Sequence, residues 1–452
     1  MSRKPVSNSA TTDVVLRFLV GGPARESRDM RILFLTHYFP PEVNAPATRT
    51  HEHCREWVAA GHEVHVVTCM PSHPAGEPFP GYRRQWYRRE SIDGIHVHRV
   101  WTYLAGNRGV VKRTLNYLSF AVSASWRAWR LGTFHVAIGT SPQFFCAAGT
   151  WLVAKLRRMP WVFELRDLWP ESIAALGVLE RQSLPLRWLE RVELRLYRDA
   201  AAVACLTRSF VTTLESRGVD GAKLHYLPNG IIPEFWSIGD RDQMRRELKL
   251  APNDVLVSYV GTTGMAHDLR TVLDAAAQLQ SRAPEVRFLI VGDGAELDML
   301  RADAAARRLS NLRFTGLVPR TRIPSLLAAS DVMLVTLRPS EVFRTVLPSK
   351  MFEAMAASRP IVLGVDGEAR NTLLEAQAGV VVPQADPVAL ADGVYRLARD
   401  RPLRAAMGES GAAFVRREFS RRAWASRYLA LLETIAVAAT APVASRRTAI
   451  TR

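Results

Sequence analysis

The chain has 452 residues, enough for two or three domains, and its content of 48% hydrophobic and 23% charged residues is that of a globular protein. Its 60 basic and 43 acidic residues give a net charge of +17, which favours anionic partners such as phosphorylated substrates, a membrane surface or nucleic acid. The basic residues form short clusters without zinc-finger spacing, a basic zipper or an aromatic RNA-binding pattern, so we expect no nucleic-acid partner. An arginine-rich, solvated surface is the alternative explanation for most of this charge.

No cysteine pair has the spacing of a metal or redox motif, and no apolar run reaches the roughly 20 residues that span a bilayer. The cysteines have apolar neighbours and are typical of buried thiols in a reducing compartment: Cys54, Cys69, Cys146 and Cys205. A short apolar run at 14–20 is interrupted by Arg17 and does not resemble a secretory signal. The sequence therefore predicts a cytoplasmic protein with a disordered extension at 1–29 and a disordered tail at 439–452.

In chain order, the first half alternates short apolar segments with helical patterns. A strand at 31–36 precedes a helix near 48–60, which Gly61 ends, and a second strand at 62–68. Further strands are predicted at 95–101, 136–139, 161–165, 202–206 and 223–227. The segment 115–129 is an apolar helix with flanking basic residues, and it is either buried in this half or lies on an anionic membrane surface.

The pattern then restarts. A strand at 255–260 ends at Gly261, a helix begins at Leu269, and strands follow at 286–291, 312–315, 332–335 and 361–364. Continuous apolar strands that alternate with helices indicate an α/β protein with doubly wound parallel sheets. We therefore predict two Rossmann-like domains that face a cleft, residues 30–232 and 233–420, joined near the turn at 228–233, and a helix at 421–438 that packs back on the first domain.

Two glycine-containing loops follow strands of the second half, where ligands of such sheets bind. The first contains Gly261, Thr263, Gly264 and His267, and a helix begins just after it, so its backbone can approach a phosphate and His267 can donate a hydrogen bond. The second contains Gly292 and Asp293 and equally permits a close approach. Ordinary tight turns explain either loop without a ligand.

The segment 348–357 carries the sharpest signal of the second half. Ser349 has the position of an N-cap, and Lys350 then falls in the first helical turn, where a cation opposes the helix dipole. This local conflict suggests a bound anion such as a diphosphate, with Arg344 as a second positive group. Glu353, one turn on, can accept hydrogen bonds from two ribose hydroxyls, although a solvated lysine and a helix-start glutamate are the plainer interpretation.

Polar residues also follow strands of the first half. Glu164, Arg166, Asp167 and Trp169 come after the strand at 161–165, where an indole face can stack on a sugar and Asp167 can bind hydroxyls or take a proton. His37 and Arg49 flank the loop after the first strand and are candidates for the acceptor side. A cap and a core tryptophan would explain the same pattern. The absence of a GxGxxG after this strand argues against a nicotinamide enzyme.

Several phrases together resemble family 4 of the nucleotide-sugar glycosyltransferases, which have the GT-B fold. They are PNG at 228–230, VGDGAE at 291–296 and EAMAA at 353–357. HYFPPE at 37–42, ELRDLWPES at 164–172 and PSKMFE at 348–353 resemble the WbuB-like branch of O-antigen and capsule transferases, similar to an N-acetyl-L-fucosamine transferase. The resemblance covers residues 30–438.

The resemblance implies a retaining, metal-independent transfer without a cofactor. The second domain would hold a nucleotide diphosphate sugar, by default a UDP-sugar, with Glu353 on the ribose and Gly264 in the diphosphate loop. The first domain would hold a glycan or a polyprenyl-diphosphate-linked acceptor at the inner face of the cytoplasmic membrane, to which the protein would bind peripherally. The expected catalytic residues are Asp167, His267 and Lys350.

Two positions depart from the family pattern. Thr345 stands where a second glutamate is usual, and the usual arginine and lysine after the opening strand of the second domain are missing, with His267 near the lysine position. Lys350 and Arg344 are the candidates to replace that charge. Two alternatives stay open: a nucleotide-sugar 2-epimerase on the same fold, and a noncatalytic partner that only binds nucleotide sugar.

Overall fold

The computed structural model describes residues 29–42, 44–72, 76–104, 110–141, 143–168 and 184–440. The predicted disordered segments lie outside this range, except for their residues 29, 439 and 440. Helices and strands alternate through both halves, and two separate sheets form. The predicted α/β architecture with two parallel sheets is confirmed.

The first sheet has eight strands in the order β3-β4-β2-β1-β5-β6-β7-β8. Their bounds are β1 Arg31–Leu35, β2 Glu63–Cys69, β3 Tyr87–Ile92, β4 Ile95–Val100, β5 Val136–Thr140, β6 Trp161–Leu165, β7 Ala202–Cys205 and β8 Leu224–Tyr226. All neighbouring pairs are parallel except β3 and β4, an antiparallel hairpin at the edge. Parallel pairing explains the continuous apolar runs, because both faces of these strands are covered by helices.

The helices of this half are α1 Ala45–Ala59, α2 Val110–Arg130, α3 Phe144–Arg157, α4 Leu184–Asp199 and α5 Arg208–Ser216. Helix α1 begins three residues earlier than predicted, because the Asn44 side chain accepts a hydrogen bond from the amide of Ala47 and Pro46 fits the first turn. Gly61, with φ of 96°, then reverses the chain into β2, as its position predicted.

The second sheet has six parallel strands in the order β11-β10-β9-β12-β13-β14. They are β9 Val255–Val260, β10 Val286–Val291, β11 Leu312–Gly316, β12 Val332–Thr336, β13 Ile361–Gly364 and β14 Gly379–Val381. Counted from β9, this is the strand order 3-2-1-4-5-6 of a Rossmann-like domain, whose ligand crevice lies where the order reverses, beside the carboxyl ends of β9 and β12.

The remaining helices are α6 Pro233–Ser237, α7 Arg241–Glu247, α8 Leu269–Arg282, α9 Leu297–Ala306, α10 Ile323–Ala329, α11 Ser349–Ala356, α12 Glu368–Ala376, α13 Pro387–Arg399, α14 Arg401–Glu418 and α15 Arg421–Thr440. Among the described residues, every helix is too short or too polar to span a lipid bilayer.

Two chain crossings lie side by side at the junction between the sheets. The amide of Ile231 donates to the carbonyl of Phe419, and the amide of Arg421 donates to the carbonyl of Ile231. Helix α15 then returns to the first half, where the indole of Trp57 donates to the carbonyl of Ala425. Helix α15 therefore packs against α1 and connects the two halves at the base of the cleft.

Candidate functional site

The two glycine loops interlock at the carboxyl ends of β9 and β10. The amide of Gly261 donates to the carbonyl of Val291 at 2.9 Å, and the amide of Thr263 donates to the carbonyl of Asp293 at 3.0 Å. A Cβ on Gly292, whose φ is 133°, would lie 1.9 Å from the carbonyl oxygen of Gly261. The sequence needs glycine here because the two loops pack backbone to backbone.

The predicted loop residues differ in what they offer to a ligand. Thr263 is fully buried and supports the double loop from inside. Asp293 is exposed, but its carboxylate already accepts a hydrogen bond from the amide of Gly294. Gly264 stands in open space: an added Cβ would meet only the methyl group of Thr262, at 3.6 Å. The open space beside the Gly264 backbone therefore leaves room for a diphosphate.

Lys350 lies directly beside this loop, as expected from its place in the first turn of α11. Its Nζ donates to the hydroxyl of Tyr259 at 2.7 Å and lies 4.0 Å from the centre of that ring. A Cβ on Gly261 would be only 2.9 Å from the same Nζ. Burial lowers the pKa of Lys350 to about 7, and the charge of Glu353 opposes this shift. The ammonium group is thus desolvated beside a glycine loop, with no carboxylate paired to it among the described residues.

Tyr259 is one of the site residues that the sequence did not single out. It is fully buried in β9, and its hydroxyl donates to the carbonyl of Thr262 while it accepts from Lys350. Burial raises its pKa, so the phenol stays protonated. The available signal was one polar aromatic residue in the mostly aliphatic strand VLVSYV.

His267 follows Gly264 in the same loop, at the end of the 3₁₀ segment Met265–His267. Burial, reinforced by the charge of Lys350, lowers its pKa to about 3, so the imidazole is neutral at physiological pH. Its Nδ1 is buried without a hydrogen-bond partner in the described part of the chain. Asp268 has the N-cap position of α8, but its carboxylate accepts from the hydroxyl of Thr271. His267 therefore offers a neutral ring, not the cation that usually stands near this position.

Glu353 is half-buried on α11, one turn after Lys350. Burial raises the pKa of its carboxyl to about 7, against the charges of Arg320, Lys350 and Arg421. No hydrogen bond or ion pair of its side chain occurs among the described residues. A desolvated carboxyl group without a hydrogen-bond partner fits a group that receives hydrogen bonds from a ligand.

Ser349 and Arg344 differ from their predicted local roles. Helix α11 starts at Ser349 itself, so Pro348 is the N-cap and the exposed serine makes no capping bond; the fixed backbone of Pro348 suits that position. Arg344 is half-exposed, and its guanidinium pairs with Glu341 at 3.4 Å and with Asp366 at 3.5 Å. Its charge is therefore shared with two carboxylates, whereas that of Lys350 is not.

In the first half, Arg49 and Glu164 are brought together beneath the cleft and not on its surface. Each is 1% exposed, and their charged groups are 3.5 Å apart. The guanidinium of Arg49 also donates to the carbonyls of Leu227 and Pro228 at 3.0 and 2.8 Å. The expectation that these two residues contact an acceptor is corrected by this burial, since they hold the junction to the second half from below.

Arg166 and Asp167 lie nearer to the surface. Their amides both point at the hydroxyl oxygen of Ser141, at 2.8 and 3.4 Å, which fixes the loop after β6. Burial raises the pKa of Asp167 to about 6, and Arg166 lowers it. The Arg166 guanidinium also lies 3.7 Å from Glu164. Asp167 is thus a half-buried carboxyl that titrates just below neutral pH.

Two further acceptor candidates have different outcomes. His37 is 6% exposed and packs edge-on against Tyr38, Tyr117 and Phe120, with ring centres 4.7 to 5.7 Å apart. Its ring thus belongs to an aromatic cluster beside the loop after β1. Trp169 lies outside the described residues.

Basic residues from distant parts of the chain surround the base of the cleft. Arg320 donates to the hydroxyl of Thr48, a contact at 2.9 Å between the two halves, and Arg421 pairs with Glu52 at 2.7 Å. The charges of both arginines lower the pKa of the Glu353 carboxyl, against the effect of burial. Sequence reasoning missed them because the signal is only their convergence in space.

A possible metal-binding group lies elsewhere among the described residues. One ligand atom each from Glu63, His65 and His96 falls within 4.8 Å of the others, at the amino ends of β2 and β4. His65 already bonds Glu63 at 2.6 Å and His98 at 3.1 Å, and Arg31 pairs with the same glutamate. This group is at the opposite edge of the sheet from the cleft.

Comparisons with known proteins agree with this geometry. A family model described as glycosyl transferases group 1 matches residues 240–414, and one described as glycosyl transferase 4-like domain matches residues 44–230. A putative colanic acid biosynthesis glycosyl transferase, WcaI of Escherichia coli K12, is 29% identical over 365 residues, which are 78% of this chain and 88% of that protein. The probable glycosyltransferase WbjE of Pseudomonas aeruginosa is 27% identical over 51% of this chain and 58% of its own length.

Solved structures share the fold at low sequence identity. HepE of Anabaena in complex with UDP superposes with a TM-score of 0.69 at 17% identity, over 90% of this chain and all of that one. WaaG, described as a glycosyltransferase involved in lipopolysaccharide biosynthesis, gives 0.66 at 16% identity over 89% of this chain and 99% of its own. The chain is a glycosyltransferase with the GT-B fold, whose first half matches the glycosyl transferase 4-like model and whose second half matches the glycosyl transferases group 1 model.

Proposed function

We propose that this glycosyltransferase moves a sugar, with retention of anomeric configuration, from a UDP-sugar to a glycan or polyprenyl-diphosphate-linked acceptor during assembly of a cell-surface polysaccharide. The WbuB-like branch is the one we favour. Residues 233–420 would form the donor domain, residues 30–232 the acceptor domain, and the helix at 421–438 their brace. The observation that carries the proposal is the desolvated, unpaired Lys350 against the Gly261 loop.

The donor part of the proposal depends on charge. A nucleoside diphosphate would bring negative charge beside the buried ammonium of Lys350, which its hydrogen-bond partner Tyr259, a neutral phenol, does not provide. The backbone at Gly264 gives the phosphates room to approach, and the Glu353 carboxylate is free to accept from ribose hydroxyls. HepE, whose structure is described with UDP and with UDP-glucose, supports uridine as the base.

The chemical step follows from this placement. The bond between the sugar C1 and the diphosphate oxygen breaks, and the electron pair stays on the leaving phosphate, where Lys350 stabilises it. The acceptor oxygen bonds to C1 on the same face, and its proton passes to the departing phosphate oxygen, so no separate base is needed. The neutral ring of His267 donates a hydrogen bond to a phosphate oxygen of the donor. Asp167 positions the acceptor hydroxyl from the opposite domain. The transfer needs no metal or further cofactor.

The cell-surface role is supported by the relatives: the name of WcaI refers to colanic acid, and that of TuaH of Bacillus subtilis, 23% identical over 44% of this chain, to teichuronic acid. A membrane-facing acceptor side is supported by helix α2, whose exposed apolar side chains we call the α2 face. It consists of Leu115, Leu118, Val122, Trp126 and Trp129. Lys112 and Arg130 near its two ends would meet anionic headgroups at the inner side of the cytoplasmic membrane.

A two-stage experiment tests the donor and the reaction. Thermal shifts with UDP, GDP and ADP should show stabilisation by UDP, lost in Lys350→Ala and Glu353→Ala and kept in the exposed control Glu375→Ala. NMR of the enzyme with UDP-glucose or UDP-N-acetylglucosamine, together with a polyprenyl-diphosphate-linked glycan as acceptor, then follows the anomeric proton. Release of UDP with an α-linked product supports a retaining transferase. Conversion of the donor to an epimer would indicate the 2-epimerase, and binding without turnover would indicate a noncatalytic partner.

The membrane part has its own test. Sedimentation with vesicles of 30% phosphatidylglycerol should retain the wild type at moderate salt and release Val122→Glu. Trp188→Ala, an exposed tryptophan of α4 outside the α2 face, is the matched control and should sediment normally. A wild type that stays in the supernatant would overturn membrane binding and leave the donor chemistry untouched.

A further inference from the structure

An aromatic pocket of about 470 Å³ opens at the carboxyl ends of β2 and β4, in the first half of the chain. The residues that matter for its chemistry are Tyr82, Arg84, Trp86, Trp101, Thr102 and Tyr103. The carboxyl ends of parallel strands form the ligand edge of such a sheet, so the pocket is on the acceptor side of the cleft. None of the candidate residues from the sequence lies in it.

Two stacked tryptophans form one wall. The rings of Trp86 and Trp101 lie 5.2 Å apart with an angle of 29° between their planes, and the amide of Trp101 donates to the carbonyl of Trp86. Trp86 is 74% exposed although it has an apolar partner on one side. Exposing a large indole costs hydrophobic stabilisation, and the open face of a braced indole is a flat surface on which the C–H face of a pyranose can stack.

The floor of the pocket is rigid and connected to the cleft. The guanidinium of the fully buried Arg99 lies over the Tyr82 ring at 5.1 Å, and the Tyr82 hydroxyl donates to Glu90 at 3.2 Å. Arg99 also pairs with Glu90 and donates to the carbonyl of Pro40, in the loop after β1. The pocket is therefore built on residues that also fix the wall of the cleft.

One polar group in the pocket is left without a partner. Thr102 is 3% exposed, and its hydroxyl makes no hydrogen bond in the part of the chain that the structure describes. A buried hydroxyl is normally satisfied by a neighbour, water or a ligand. Arg84 and Gln85 at the rim add further hydrogen-bond donors. A hydrocarbon chain would leave the buried Thr102 hydroxyl unsatisfied, whereas a hydroxyl of a sugar would hydrogen-bond to it.

We propose that this pocket is a carbohydrate subsite that holds a pyranose ring of the acceptor, with Trp86 as its stacking platform and Thr102 as a hydrogen-bonding group. The inference deepens the proposed function, because it assigns the acceptor to the glycan class and gives it a second contact outside the cleft. It also separates recognition of the acceptor sugar from the contact of the α2 face with lipid.

Saturation-transfer NMR on the full chain tests the subsite without knowledge of the natural acceptor. The probes are maltose, cellobiose, N,N′-diacetylchitobiose and, for the lipid class, farnesyl phosphate. We expect ring protons of at least one disaccharide to receive saturation in the wild type. The signal should weaken about tenfold in Trp86→Ala, recover in Trp86→Phe, and stay unchanged in Trp188→Ala. Thr102→Val should weaken it about three- to tenfold without lowering the melting temperature, because the hydroxyl has no internal partner to lose.

The outcomes separate this inference from the donor site. UDP should stabilise Trp86→Ala as much as the wild type, so loss of the sugar signal with a retained UDP shift locates the defect in the subsite. Saturation of farnesyl phosphate and of no disaccharide would overturn the inference in favour of a lipid site, and so would disaccharide signals that persist in Trp86→Ala. A wild type that UDP does not stabilise would overturn the proposed donor while the sugar signals still decide the subsite.

Discussion

The pH dependence of nucleotide binding is the most direct consequence of the Lys350 environment. The group is desolvated next to Tyr259 and the Gly261 loop, and its pKa is lowered to about 7. A diphosphate beside the ammonium would return the pKa to its ordinary range near 10.5. Because the bound state then holds its proton more tightly than the free state, UDP binding takes up a proton, and affinity falls as pH rises above 7.

The magnitude follows from the fraction of the free enzyme that carries the ammonium. With a pKa of about 7 this fraction is about one half at pH 7 and about one thirtieth at pH 8.5. The dissociation constant of UDP should therefore rise about fifteenfold between these two values, and proton uptake should rise from about 0.5 to nearly one per UDP. Isothermal titration in phosphate and in Tris, whose ionisation heats differ, measures both quantities.

Lys350→Met is the informative variant, because it keeps the length of the side chain and removes the charge. Loss of a charge-assisted bond to phosphate should weaken UDP binding about tenfold to a hundredfold and abolish the alkaline slope. The neighbouring Glu353 cannot imitate this slope, since a ribose-bound carboxylate favours its ionised form and would make affinity rise with pH. A flat wild-type profile from pH 7 to 8.5, or a slope that survives in Lys350→Met, would refute the reasoning.

Four other substitutions have expected outcomes. Gly292→Ala places a methyl group against the Gly261 carbonyl and should lower the melting temperature and UDP binding together, whereas Gly264→Ala, with space for its Cβ, should lower UDP binding alone; scanning fluorimetry with and without UDP checks both. The pKa of Glu353 is raised from 4.5 to about 7, so the wild-type protein without ligand loses folding stability as the pH rises through this range. Glu353→Gln removes the titrating group and should therefore raise the free energy of unfolding by about 1–2 kcal/mol above pH 7, a value discounted for partial exposure. A urea titration that shows no such gain, or a gain that persists below pH 4.5, would contradict it. Arg49→Leu should cost up to about 3 kcal/mol in the same assay, because the buried Glu164 carboxylate then keeps only Arg166, 3.7 Å away, as a charged partner, and the added change Glu164→Leu should recover part of the loss.

The strands and their parallel direction were predictable, because strands that are buried on both faces consist of short runs of consecutive apolar residues. The segment at 255–260 matches β9 at both ends, and the one at 161–165 matches β6. The polar edge strand β3 and the three-residue β14 were not predicted, since β3 has no continuous apolar run and the apolar run of β14 is very short. Edge strands are half solvated, and their pairing is decided by neighbours that the local sequence does not contain.

The residues of the candidate site divide in the same way, into those that local sequence predicts and those whose contacts arise only in the folded chain. The loop glycines, Lys350 and Glu353 were identified from local conflicts: glycine where a strand ends, and a cation in a first helical turn. Tyr259, Arg320 and Arg421 were missed, because Tyr259 meets Lys350 across 91 positions of chain and the two arginines approach Glu353 only in the folded chain. Serine is common at helix caps and so predicts a cap at Ser349, but the structure has the cap at Pro348, whose fixed backbone suits that position.

The departures from the family pattern form one consistent exchange of charge. Near the usual lysine position stands His267, and burial keeps its pKa at about 3, so this loop contributes no positive charge at neutral pH. Lys350, from the other side of the same loop, places its ammonium at Gly261 and itself suppresses protonation of His267. Two cations this close without a ligand would repel each other, so a chain that takes its donor charge from α11 needs a neutral group in the loop. His267→Lys in the presence of Lys350 should therefore lower apo stability and gain little affinity for UDP, whereas in Lys350→Met it should restore binding. Thermal shifts with UDP on the single and double variants decide this, and equal effects of His267→Lys in both backgrounds would show that the two positions do not share the diphosphate.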